Sequence, residues 1–117
     1  MALGQTERMR RKGIESPRVV CLCGSLRFPD LFDSERRRLT ALGIIVLAPE
    51  AVSGEITMTM RAALGELHLR RIDLADDVRI VSEGGYIGEA TRREIHYVRA
   101  MGKTISTVEA HLDLDAI

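Results

Sequence analysis

VRIVSEGGYIGEATRREI, residues 78–95, is the stretch whose reading decides the fold. A short β-branched run ends in a glycine-rich turn, and a helical pattern opens directly behind it. Strand, glycine turn and helix start in that order are how α/β proteins present backbone amides to a ligand. Glu89 falls at the expected helix start, where unpaired amides and the macrodipole attract negative charge by about 0.3–1 kcal/mol, up to ~2 in a partly buried site. A carboxylate placed there is available as a nucleophile or as an anchor for a sugar. The structural alternative is a first-turn glutamate pairing with Arg93 at i+4.

Upstream, Arg18 to Cys23 is a nearly continuous apolar run, the pattern of a parallel strand covered on both faces. It runs into Gly24-Ser25-Leu26-Arg27, a turn that can aim amides, a hydroxyl and a guanidinium fork at an anion, or simply a Gly-Ser turn with a solvated arginine. Apolar residues at 31, 32, 39 and 42 predict an amphipathic helix from Pro29 to Leu42, closed by Gly43. Ile44 to Ala48 predicts a second buried strand, stopped by Pro49. Strand, helix, strand makes a right-handed βαβ unit. Residues 49–57 read as a loop above the strand ends, suited to a lid. Residues 58–75 predict a second helix with Met60, Leu64, Leu67 and Leu74 as its core stripe, weakened by Gly65.

Asp73, Asp76 and Asp77 surround the start of the third strand. In a parallel sheet that end lies opposite the ligand crevice, so Asp76 and Asp77 read as capping and turn residues. A third helix is expected from about Ile87 to Met101, with Ile87, Ala90, Thr91, Ile95, Val98 and Met101 inward and Gly102 ending it. Lys103 to Thr107 predicts a fourth strand, and residues 108–117 a last short helix or a tail that docks on a partner chain.

Composition narrows the function classes. At 117 residues, 45% of them hydrophobic, the chain is one domain of ordinary size. Residues 1–17, with Arg8, Arg10, Arg11 and Lys12 clustered, read as a flexible arm, and 18–117 as the folded domain. Seventeen basic and seventeen acidic side chains balance, so no global field recruits nucleic acid or acidic membranes. Two Tyr, two Phe and no Trp argue against a stacking platform for single strands. No span-length apolar run and no signal-peptide pattern appear, which reads as a cytoplasmic chain. Cys21 and Cys23 share one face of a strand about 6.5–7 Å apart, at the edge of disulfide reach and with parallel side chains. A metal reading needs further ligands, and His68, His96 and His111 show no ligand spacing with them. The pair therefore reads as buried, reduced thiols, with no metal and no cofactor expected.

Three strands deliver candidate residues to one crevice: Gly24, Ser25 and Arg27; Ser82 to Glu89; Ser106 and Thr107. With CGSLR at 23–27, LADDVRIV at 74–81 and GGYIGEATRREI at 84–95, the chain resembles the nucleoside 2-deoxyribosyltransferase-like family, which includes nucleoside 5′-monophosphate N-glycosidases. The resemblance covers about residues 18–107. It implies a small flavodoxin-like, Rossmann-like three-layer α/β domain with a parallel sheet of four to five strands. It also implies that Glu89 attacks the anomeric carbon of a nucleoside or nucleotide, leaving a glycosyl ester that water or a second base resolves. Ser25 and Arg27 would hold a 5′-phosphate. Cys23, Gly24, Ser82, Gly84, Gly85, Tyr86 and Gly88 complete the expected substrate contacts. The chain departs from the family where a tyrosine often stands and here is Cys21, with Tyr86 as a substitute. Where relatives carry an aspartate, His68 aligns and Asp73 is the other candidate. Where relatives carry a phosphate-binding serine, Glu83 aligns and Ser82 is adjacent. Relatives complete their sites from a neighbouring chain, so a homo-oligomer, most simply a dimer, is expected. The competing readings are a nucleotide-binding module without chemistry and a generic flavodoxin-like signalling domain.

Overall fold

The computed structural model describes residues 16–117. The arm expected over 1–17 lies outside the described residues except for its last two. Four strands, β1 (Val19–Gly24), β2 (Ile45–Leu47), β3 (Asp77–Val81) and β4 (Thr104–Thr107), form one parallel sheet in the order β2-β1-β3-β4. Three helices, α1 (Pro29–Ala41), α2 (Met58–Leu74) and α3 (Glu89–Ala100), make the connections, and a 3-10 turn spans Leu114–Ala116. Four parallel strands with helices on both faces are the α/β architecture the sequence predicts.

Alternation along β1 sorts the core into two layers. Val20 and Leu22 face α1 and pack with Phe32, Leu39 and Val81. Val19, Cys21 and Cys23 face the other way, into a core with Ile72 of α2 and Ile95 and Val98 of α3. Pro29 opens α1 with Asp30 in its first turn, both favourable at a helix N-terminus. Thr57 caps α2, its hydroxyl accepting from the Met60 amide at 3.1 Å. At the far end of α2, the Lys103 ammonium donates to the carbonyls of Ile72, Asp73 and Ala75 at 2.9, 2.9 and 2.6 Å. Asp76 and Asp77 act structurally there: Asp76 Oδ2 accepts from the Val19 amide at 2.8 Å, and Asp77 pairs with Arg18 at 2.8 Å.

Several expectations need correction. β2 is an edge strand of three residues, exposed or half-buried along its length, because among the described residues β1 is its sole partner. On α2 the buried residues are His68 and Ile72, whereas Met60, Leu67 and Leu74 face outward at 40%, 47% and 67% exposure. The apolar stripe is real but belongs to the solvent side of this chain. Helix α3 begins at Glu89, two residues later than expected; Ala90 and Met101 are exposed, while Thr91, Ile95 and Val98 are buried. The tail docks on its own chain: Arg99 donates to the carbonyls of Leu114 and Ile117, and Leu112, Leu114 and Ile117 pack against the α2–α3 core.

The strand order reverses between β1 and β3, whose carboxyl ends lie side by side with Gly24 opposite Val81. That point is where open α/β sheets leave a crevice for a ligand. A side chain at Gly24 would place its Cβ 2.2 Å from the Val81 carbonyl oxygen, so the two strands approach this closely only because the residue is glycine.

Candidate active site

Above the ends of β1 and β3 lies an open pocket of about 470 Å³. The β1–α1 turn contributes Gly24 and Ser25, the loop after β2 contributes Pro49, Val52 and Ile56, α2 contributes Gly65, His68 and Arg71, and α3 with its N-cap contributes Glu89, Glu94 and Gly88. Five residues singled out in the sequence, Gly24, Ser25, His68, Gly88 and Glu89, thus meet at one cavity. The loop expected as a lid also borders it.

Glu89 is the first residue of α3, and its N-cap, Gly88, offers no side-chain cap. The carboxylate is exposed, lines the pocket, and among the described residues makes no hydrogen bond or ion pair, so the alternative pairing with Arg93 does not form. Glu94, further along the same helix, also lines the pocket. Burial pushes its carboxyl pKa above the usual range, and the neighbouring His68 only partly opposes this. Two carboxyl groups of unlike environment therefore face one cavity.

Arg27 and Tyr86 flank pocket-lining residues in the sequence but do not line the pocket themselves: the Arg27 guanidinium carbon lies 3.7 Å from the centre of the Tyr86 ring, and Phe28 meets the same ring edge-on at 6.2 Å. Ser25 Oγ accepts from the Arg27 amide at 3.2 Å, which holds the turn. Tyr86 sits under Arg27 and against Gly88, where a Cβ would lie 3.4 Å from its hydroxyl.

Ser82, Gly84 and Gly85 are engaged elsewhere. Gly84 and Gly85 both have positive φ, 61° and 74°, a succession that turns their amides toward one point. Glu109 occupies that point: its carboxylate accepts from the Ser82 hydroxyl at 2.5 Å and from the Gly85 amide at 2.9 and 3.2 Å. Those donors, Ser82 first, hold the Glu109 carboxyl below its ordinary range. The expected substrate contacts of Ser82, Gly84 and Gly85 are therefore made to a side chain of the same protein. Nothing in the spacing of residues 82 and 109 announces it.

No family model matches the sequence, and no curated protein matches it. Solved structures do match. A 2-deoxyribosyltransferase from Bacillus psychrosaccharolyticus aligns with a TM-score of 0.61 at 19% identity, over 76% of this chain and 70% of that one. A conserved protein from Enterococcus faecalis V583 aligns with a TM-score of 0.57 at 17% identity, over 79% of this chain. This chain spans 63% of that protein's length. The chain has a nucleoside 2-deoxyribosyltransferase-like fold.

Within this deoxyribosyltransferase-like fold the two candidates for the missing aspartate separate. Asp73 lies near the end of α2, beside the start of β3, where it accepts from the Tyr97 hydroxyl at 2.5 Å and pairs with Arg70 at 3.0 Å. It does not line the pocket, because the helix runs antiparallel to the strands and carries residue 73 to the opposite end of the sheet. His68 lines the pocket but turns its Nε2 to the strand beneath, 3.4 Å from Cys23 Sγ and 3.8 Å from Cys21 Sγ. All three side chains are buried. Cys21 is held down to about 6, by the Cys23 thiol first and then, against burial, by His68. Cys23 is pushed up by Cys21 and by burial. Burial opposes the charge on His68, yet the Cys21 thiolate overrides it and raises the imidazole pKa. The histidine with no ligand spacing in the sequence is thus brought to both cysteines, and neither cysteine lines the pocket.

Proposed function

We propose that this protein cleaves the N-glycosidic bond of a nucleoside or nucleoside 5′-monophosphate through a glycosyl ester on Glu89. The observation that carries the reading is Glu89 itself: a carboxylate at an uncapped helix start, lining a pocket at the sheet's switch point, with no partner among the described residues. The 2-deoxyribosyltransferase of like fold supports the substrate class. One Glu89 oxygen attacks C1′, the C1′–N bond breaks with its electron pair going to the base, and a carboxylate ester forms. The departing base takes a proton, and Glu94 is the pocket carboxyl whose pKa burial raises, which suits it to supply that proton. Water then attacks the ester, returning its proton to Glu94 and freeing Glu89. A second base in place of water makes the same protein a transferase. Ser25 in the pocket wall, with Arg27 two residues on, is the proposed holder of a 5′-phosphate.

The test is release of free base from a panel of nucleosides and their monophosphates, for the parent and for Glu89→Gln. Glu89→Gln keeps size and fold but removes the attacking charge, so turnover falls by orders of magnitude, on the scale of about 10³-fold or more. Intact-mass detection of a glycosyl adduct on the parent, with a slow fluorinated substrate, locates the ester. Base release that survives in Glu89→Gln, or an adduct on another residue, refutes the assignment. Binding without release by the parent favours the module that binds nucleotides and does no chemistry.

A further inference from the structure

We propose that Cys21, Cys23 and His68 form a binding site for a zinc-class divalent cation beneath the pocket, with a water molecule in the fourth position on the Glu94 side. The geometry carries it. Ligand atoms around a tetrahedral zinc, with Zn–S about 2.3 Å and Zn–N about 2.0–2.1 Å, stand about 3.6 Å apart for S···N and about 3.8 Å for S···S. Here Nε2 of His68 lies 3.4 and 3.8 Å from the two sulfurs, and all three ligand atoms lie within 4.8 Å of one another. The imidazole nitrogen therefore stands at tetrahedral spacing from both sulfurs, and a cation between them has only to draw the two sulfurs to their ligand distance. The three ligands come from the middle of a central strand and from a helix packed on it, positions far stiffer than loops.

Charge favours the same reading. Two thiolates and a neutral imidazole around a dication sum to zero, which a buried site tolerates. Two thiols and an imidazole with borderline-soft donors select zinc over magnesium or calcium. Glu94 lines the pocket above the cluster and, after Cys21 and burial, its negative charge raises the Cys23 thiol pKa, so it stands on the pocket side of the three ligands. Arg71 approaches the other ring nitrogen, Nδ1, at 3.4 Å. A metal on Nε2 puts the imidazole proton on Nδ1, so the guanidinium turns into the pocket, which Arg71 lines. Three protein ligands with a water in the fourth position are an established zinc coordination pattern. The site does not depend on the glycosyl chemistry of Glu89.

The experiment uses untagged, chelator-treated, reduced protein titrated with Co²⁺. The expected result is about one cobalt per chain, thiolate-to-metal charge transfer in the near ultraviolet and intense visible bands of a four-coordinate site, all displaced by Zn²⁺. Cys21→Ser and Cys23→Ser each weaken the charge-transfer band, Glu94→Gln lowers affinity by about 10- to 100-fold, and the exposed His111→Ala changes nothing. Circular dichroism reports whether each variant folds; if the serine variants do not, the parent spectrum decides alone. Absence of the thiolate bands in the parent overturns the proposal. So does an unchanged spectrum in a folded Cys21→Ser variant, or loss of cobalt in His111→Ala.

Discussion

Arg27, the proposed phosphate contact, is held against the Tyr86 ring. Its plane is already stacked on Tyr86, so less freedom is lost when a phosphate arrives than for a solvated arginine. Charge-assisted hydrogen bonds contribute about 1.5–3 kcal/mol each, so Arg27→Ala should weaken monophosphate binding by roughly 10- to 100-fold. The unphosphorylated nucleoside should bind as before. Calorimetric titration of both ligands decides: equal losses would mean that the arginine acts only by holding Tyr86 in place. Glu109 teaches the converse lesson, since a carboxylate of the chain itself sits on the amides of the glycine turn and rigidifies the loop that leads to Glu89.

Between elements, the tie most exposed to pH is Glu35. It reaches from α1 to β3, accepting from Arg79 at 2.7 Å and from Arg38 at 2.9 and 3.0 Å. Arg38 first, and Arg79 with it, hold its carboxyl below the ordinary range despite burial. A folded value lower than the unfolded one, about 4.3, gives stability that is whole above that pH and is lost as pH falls through the folded value. Glu35→Gln should therefore cost about 1.5–3 kcal/mol at pH 7, with the gap to the parent closing on acidification below about pH 4.3. Urea unfolding of both proteins from pH 7 downward measures it. A gap that stays constant would show that Glu35 packs rather than pairs.

For the whole molecule, the outward stripe on α2 raises the question of a second copy. Met60, Leu67 and Leu74 recur every seven residues on the exposed side of one helix, the spacing of a helix-pairing seam. The same helix lends Leu64 and Gly65 to the pocket, so a helix laid against it would stand beside the site. A dimer through α2 is expected in sedimentation at micromolar concentration, and Leu67→Glu with Leu74→Glu should give a folded monomer. A monomeric parent would rule the seam out. No helix among the described residues is long and apolar enough to cross a membrane.

By itself the sequence determined the alternation of strands and helices, the turn after β1, the glycine turn after β3 and Glu89 at a helix start. Each of these is written in neighbouring residues: runs of β-branched side chains, glycine where φ is positive, a carboxylate beside uncapped amides. It also contained the α2 stripe, but a period of 3.6 says which residues share a side of a helix and not which side meets the sheet. The pocket-lining loop was legible as a loop and its partners were not. Only the tertiary structure decided that Glu109 fills the nest of Gly84 and Gly85, 24 residues away along the chain. Only it brought His68 of α2 under Cys21 and Cys23 of β1, more than forty residues apart, and carried Asp73, about one and a half turns further along the helix, away from the pocket. Such meetings depend on how a helix is rotated and seated on its sheet, and that is settled by the packing of every buried side chain at once.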